Sequence, residues 1–359
     1  MKNILLLGGT GAMGVHLASL LSQNPDNKIY VTSRSKQGVS GNIVYIKGNA
    51  HNEDFIVPLL EQQRWFAIVD FLIYTTEQFR VKVDKFLAST EQYIFLSSSR
   101  VYDQSETPIK ESSNRLLDSS HDASYLETDE YALTKARQEN LLIQSGKTNW
   151  TIIRPYITFS EIRLQLGVLE KESWLYRALR GRTIVFSKDI LEKRTTLTYS
   201  FDVARGIAAI IGNSKAYGET FHITIEESYT WGEILNVYLD VLEKHLGKRP
   251  KVLVLDKYPY QHPERPFYQL IYDRYFNRSF DNSKIRDFID VNTFTPTLEG
   301  LRSCLESFLF AENFRNISWR NEAGRDKLSG EYAKYSEMPN LKTKIKYFIQ
   351  RNILPNSYF

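Results

Sequence analysis

The chain carries 359 residues, with 46 Lys and Arg against 42 Asp and Glu, a formal net charge of +4, and one cysteine. That length supports one large domain or two lobes with a substantial core, while so small a charge excess excludes the concentrated basicity of a dedicated nucleic-acid binder. The lone Cys304 excludes an intrachain disulfide framework and a thiolate metal cluster.

Residues 3–7 (NILLL) form a short apolar run that stops at glycines, VHLASLLSQ has helical apolar spacing, and KIYVTS reads as a second strand. Strand, tight turn, helix and strand make a βαβ unit. Apolar runs recur at NIVYI, AIVDFLIY, YIFLSSS and WTIIRP, with helical patterns between several of them, which predicts a parallel sheet covered on both faces by helices. Pro155 ends the strand WTIIR, because proline has no N–H to give a central ladder. The polar connection over 103–130 is too long for a simple connector and reads as a lid or as a surface loop.

Beyond residue 155 helical segments (LEKESWLYRALRG, WGEILNVYLDVLEKHLG, TLEGLRSCLESFLF) are interleaved with short strands such as TIVF, ETFHIT and KVLVLD. The expected domains are 1–155 for nucleotide binding, with segments near 195–225 returning to it, 156–310 as a substrate lobe, and 311–359 as a basic helical extension. Within that extension KTKIKYFIQRNILP is basic and amphipathic, as suits membrane-surface contact or a helix packed on its own protein. The segment KYPYQHPERPFYQLIYDRYF is rich in aromatics, which could line a pocket or pack in the core.

The motif GGTGAMG sits between the first strand and the first helix. Gly8 permits the tight turn, Gly11 lets the backbone approach a pyrophosphate and Gly14 lets helix and strand pack closely. The phosphates then face the helix N-terminus, with Thr10, Ala12 and Met13 completing the cradle. At the end of the second strand, where NAD-binding folds usually place an acid for the ribose hydroxyls, the sequence reads Ser33 and Arg34. A guanidinium there suits a 2′-phosphate, so NADP is preferred over NAD. Asn49, in GNAHNED, is placed to hydrogen-bond the adenine.

DEYALTKARQENLL reads as a helix with Tyr131 and Lys135 four residues apart on one face. An ammonium beside a phenol stabilises the phenolate and fits the tyrosine for acid/base work. Upstream, SSSRVY (97–102) puts three hydroxyls and an arginine at a strand end. The cradle, SSSRVY, YALTK, IIRPY and TLTYSFDVARGI, in this order, resemble the extended short-chain dehydrogenase/reductase family, and within it the NAD-dependent epimerase/dehydratase group acting on sugar nucleotides. The resemblance covers roughly residues 3–310.

That resemblance implies a fold and a chemistry. The fold is α/β, a Rossmann-type doubly wound parallel sheet with a smaller C-terminal α/β substrate lobe. Ser98 would hydrogen-bond the reacting sugar oxygen, Tyr131 would act as acid/base, and Lys135 would lower its pKa and hold the nicotinamide ribose. Ser97 and Ser99 support the strand end, with Ser99 and Arg100 also candidates for substrate contact. Arg100 could clamp a phosphate or carboxylate, or pair with the acidic 103–130 segment. The family's 4,6-dehydratases carry an Asp-Glu pair where this chain has Ser99 and Arg100, which disfavours dehydration. Asp202 would cap or pack a helix.

The reading is therefore an epimerase or ketoreductase of a nucleotide sugar, with NADP or NAD, no metal and no nucleic acid. Scattered histidines offer no ligand spacing. No apolar run approaches the roughly 20 residues of a membrane span, and the glycines come too early for a signal peptide, so a cytoplasmic protein is expected. A homodimer through helical faces follows by analogy. The rival reading is a non-enzymatic protein of this fold that binds RNA or protein, like the RNA-associated members found in plastids.

Overall fold

The computed structural model describes residues 1–104, 106–259 and 266–354. The first half of the chain alternates β1 (Lys2–Leu7), α1 (Ala12–Ser22), β2 (Asn27–Ser33), β3 (Gly38–Ser40), β4 (Ile43–Lys47), α2 (Glu53–Glu61) and β5 (Trp65–Asp70). It continues through α3 (Thr76–Arg80), α4 (Val83–Ser89), β6 (Thr90–Leu96), α5 (Leu116–Ser119), α6 (Ala123–Leu126), α7 (Tyr131–Ile143) and β7 (Trp150–Arg154). With Glu219–His222 these strands form one eight-stranded sheet, ordered Glu219–His222, β7, β6, β5, β1, β2, β4, β3. The pairings are parallel except for the β3–β4 hairpin at one edge.

The central strands are largely apolar because both of their faces are covered. Alternate side chains point to opposite sides: Ile4, Leu6, Val31, Val69 and Ile94 join Leu17 and Leu21 of α1 and Val203, Ile207 and Ile210 of the Ser200–Ile210 helix. Leu5, Leu7, Ile68, Tyr93 and Phe95 meet Ile56, Leu59, Phe79, Phe86 and Leu142 on the other face. This is a doubly wound parallel sheet. Strand order reverses beside β1, and the loops at the carboxyl ends there open the crevice in which such sheets bind ligands.

The chain divides into two compact units, one of residues 1–158, 196–227 and 279–295, the other of 159–195, 228–278 and 296–359. In the second unit Ile184–Ser187 pairs in parallel with Val252–Leu255. The Trp231–Leu246 helix is closed by a Thr230/Glu233 capping box at one end and by Gly247, at φ 71, at the other. The Trp319–Ser329 and Leu341–Asn352 helices belong to this unit, where the fully buried Arg177 bonds Glu322 at 2.9 Å and Asp326 at 2.7 Å. Lys257 and Tyr275 of the aromatic-rich segment, with Asp256 just before it, line an open groove of about 560 Å3 with Lys188, Asp189, Glu192 and Lys193; residues 260–265 of that segment lie outside the described residues.

Candidate functional site: a phosphate cradle and a serine–tyrosine–lysine set

The turn after β1 is dictated by its glycines. Gly8 lies at φ +69, in the left-handed region, and its amide donates to Thr32 Oγ1 at 2.9 Å. A β-carbon on Gly14 would stand 2.6 Å from the backbone of Gly9, so turn and helix meet main chain to main chain. At Gly11 a β-carbon would meet nothing within 4 Å, and Gly11 caps α1 without a side-chain hydrogen bond. The N-terminus of α1 thus has no side-chain cap and open space beside Gly11, the arrangement that a pyrophosphate uses. Thr10, Ala12 and Met13 are half-buried around it, Met13 resting on the core.

At the end of β2 the Ser33 hydroxyl oxygen accepts from the amides of Ser35 at 3.3 Å and Lys36 at 3.1 Å, shaping the turn. Arg34 follows it into solvent. Asn49 is exposed and accepts from the His51 amide at 3.2 Å.

The three serines after β6 have separate tasks. Ser97 donates to Glu139 Oε1 at 2.6 Å, and Ser99, fully buried, donates to the Arg154 carbonyl at 2.7 Å. Ser99 is therefore a strut joining two strand ends, the supporting role expected for it, with its hydroxyl proton committed to main chain. The Ser98 hydroxyl oxygen accepts from the Arg100 amide at 3.2 Å, with the residue in extended conformation at the head of a single 3-10 turn. Of Arg100's alternatives, the ion pair is the one formed: its guanidinium bonds Glu130 Oε1 at 2.5 Å and lies 5.2 Å from the Tyr131 ring centre.

Glu130 also caps α7, accepting from the Ala132 amide at 2.7 Å, so Tyr131 opens the helix and Lys135 follows one turn later. The Lys135 ammonium is buried, donates to the Leu96 carbonyl at 2.7 Å and lies 4.5 Å from the Phe95 ring centre. Burial lowers its pKa to about 8 against the opposing pull of Asp70 and Glu139. Lys135 is thus anchored to the carboxyl end of β6, which Ser98 follows and beside which the Tyr131 ring meets Arg100, and β6 is separated from β1 by β5 alone.

Beneath this set lies a buried polar network the sequence reading missed. Arg154 bonds both oxygens of Glu139, at 2.8 and 2.7 Å, and donates to the Tyr102 hydroxyl at 2.7 Å. Arg115 reaches Glu139 at 3.1 Å and so fastens the 103–130 segment to α7, while bridges pair Tyr102 with Arg115 and tie Ile109 to Phe280. His222 meets the Asp281 carbonyl through Nδ1 at 3.3 Å, so that nitrogen carries the proton and Nε2 accepts from Tyr102 at 2.5 Å. One signal was available: Tyr131, Lys135 and Glu139 stand at successive four-residue steps, hence on one face. Asp70, at the end of β5, accepts from Tyr93 at 2.7 Å and Tyr74 at 3.0 Å. Asp202 accepts from Arg205 and from the Thr295 amide, both at 2.8 Å, a packing role. Among the described residues no group of three or more His, Cys, Asp or Glu is arranged around a metal position, and no helix is long and apolar enough to cross a membrane.

The sheet order and the glycine turn give a Rossmann-type fold that the chain shares with solved nicotinamide-binding proteins. The particular structures it resembles include UDP-glucuronic acid 4-epimerase from Bacillus cereus in complex with NAD, at TM-score 0.65 and 17% identity over 87% of this chain and 100% of that one. The dTDP-glucose 4,6-dehydratase from Bacillus anthracis in complex with NAD follows at TM-score 0.64 and 15% identity, over 87% and 98% of the two chains. Among curated proteins the chain is 25% identical over 246 residues to the chloroplast stem-loop binding protein of 41 kDa b from Arabidopsis thaliana. That match spans 64% of this chain and 60% of the relative, less than two thirds of its length. No family model matches the chain.

Proposed function

We propose that this protein is a nicotinamide-dependent epimerase or ketoreductase of a sugar nucleotide. The observation that supports the reading is the buried Lys135 ammonium, one helical turn from Tyr131 and held by the carbonyl of Leu96, which lies two residues before Ser98 at the end of β6, in a sheet whose first strand ends in the glycine turn. The cradle residues Gly8 to Gly14 fit a dinucleotide, because only Gly11 leaves space for a phosphate while Gly14 allows no side chain. When bound, the nicotinamide supplies a hydride acceptor or donor. Tyr131 takes the proton from the substrate hydroxyl as it becomes a carbonyl and returns it on reduction. Lys135, held by the Leu96 carbonyl, keeps positive charge near that proton, and Ser98 donates to the same substrate oxygen.

Epimerase and reductase share these residues and differ in whether the cofactor stays bound. The solved neighbours named as epimerases favour the first. Dehydration is disfavoured, since Ser99 and Arg100 are committed to Arg154 and Glu130. The NADP preference rests on Arg34 alone and gains no support from the neighbours, which carry NAD. A cytoplasmic location and a homodimer belong to the same reading, the latter tested by light scattering.

The test is to identify any cofactor released on denaturation, titrate the emptied protein with NADH and NADPH, and assay a panel of UDP-, dTDP-, GDP- and CDP-sugars. Retained cofactor with Tyr131-dependent epimerisation supports the reading. The relative from Arabidopsis favours a second one, stem-loop RNA binding on the same fold. Salt-dependent RNA affinity that Tyr131→Phe leaves unchanged, in a protein that binds neither cofactor, would replace the first with the second.

A further inference from the structure

The Leu341–Asn352 helix leaves an apolar stripe facing solvent. Leu341, Ile345 and Phe348 are 70%, 51% and 48% exposed, and Ile349 and Ile353 are exposed beside them. At about 100° per residue these side chains fall on one face. The opposite face is fixed: the Tyr347 hydroxyl donates to Asp326 at 2.6 Å and accepts from the Ala333 amide at 2.8 Å, and Gln350 is buried with it. Asp326 is in turn held by Arg177 and Arg182, and Lys327 bonds the Leu354 carbonyl at 2.7 Å. The helix cannot roll its stripe inward without breaking this buried ion network.

Charge follows the same geometry. Lys342 and Lys346 border the stripe on one side, Lys344 and Arg351 on the other, and no acid occurs between Met338 and Leu354. Among the described residues the three lysines enter no ion pair. Arg351 lies 4.2 Å from the Tyr332 ring centre. An apolar centre with cationic borders matches the boundary between acyl chains and anionic headgroups; RNA would use the borders but has no use for the centre. We propose that this helix docks the protein, in plane, on an anionic lipid surface.

Flotation of the full-length protein with phosphatidylcholine vesicles, with and without phosphatidylserine, tests this. Expected is partition into the anionic vesicles that weakens with salt and falls at least tenfold in Ile345→Glu/Phe348→Glu and in Lys342→Glu/Lys346→Glu. Both variants change exposed positions, and an unchanged melting temperature and cofactor titration would verify their integrity. Equal binding to both vesicle types, binding that survives both variants, or no binding at low salt would overturn the proposal. So would light scattering showing an oligomer that Ile345→Glu/Phe348→Glu dissociates, or an RNA complex lost with the lysines alone.

Discussion

Arg154 grips both carboxylate oxygens of Glu139, tying the last turns of α7 to the end of β7 where neither group sees water. Removing one partner of a buried pair strands the other charge, at a cost of about 3–5 kcal/mol. Arg154→Met is therefore expected to lower the free energy of unfolding by that amount, read as a reduced urea midpoint. An exposed pair such as Arg80–Glu77 is the control, with Arg80→Met costing under about 1 kcal/mol.

The glycine turn separates folding from binding. Gly11→Ala enters open space, so its melting temperature should match wild type while affinity for NADH or NADPH falls at least tenfold, about 1.4 kcal/mol. Gly14→Ala drives a methyl into the backbone of Gly9 and should lose stability and binding together. Calorimetry and fluorescence titration on the two variants distinguish these outcomes.

Lys135 couples stability to alkaline pH. Burial lowers its pKa from 10.5 to about 8, so between these values the unfolded chain binds a proton that the native protein does not, and native stability rises with pH there. Wild type should gain on Lys135→Met by on the order of 1 kcal/mol per pH unit between pH 8 and 10.5. Below pH 8 the gap should be constant. In the proposed reaction, turnover that depends on the ammonium declines through the same region, where denaturation curves and pH–rate profiles can be compared.

His222 acts in acid. Burial pulls its imidazole from 6.5 to about 3, so as pH falls between those values the unfolded state takes up a proton and native stability is lost. His222→Gln should be less stable than wild type at pH 7, since Tyr102 loses its acceptor. That deficit should shrink as pH is lowered toward 4, measured as the difference in urea midpoints.

Ser98→Ala and Tyr131→Phe, if the proposed chemistry holds, should each lower kcat by roughly 10²–10⁴ with cofactor affinity nearly unchanged. Ser99→Ala should instead act on stability, since its hydroxyl bonds a main-chain carbonyl in a fully buried site. Steady-state kinetics beside thermal melts would separate the two serines.

The sheet was legible because its strands are apolar runs punctuated by glycine and proline, and the observed β1, β2, β4 and β7 fall on NILLL, KIYVTS, NIVYI and WTIIR. AIVDFLIY was legible only to Asp70, where Tyr74 and Tyr93 seize the carboxylate and the chain turns. The cradle and the Tyr131–Lys135 spacing are local patterns and could be read directly. The 103–130 segment could not: Arg115 finds Glu139 across 24 residues and Ile109 pairs beside Phe280, and nothing in composition announces either partner. Arg154 stands within IIRPY, but only the fold shows that it faces Glu139 rather than solvent.

The interleaving of the two units sets a schedule for synthesis. Residues 279–295 bring Ile285, Val291 and Phe294 into the core beneath the eight-stranded sheet, and the edge strand Glu219–His222 is made long after β7. A nascent chain that has displayed Gly11 and Tyr131 outside the ribosome still lacks a sheet edge and part of its packing. Folding of the first unit must therefore wait until about residue 295 has cleared the exit tunnel, with exposed strands to be shielded in the meantime.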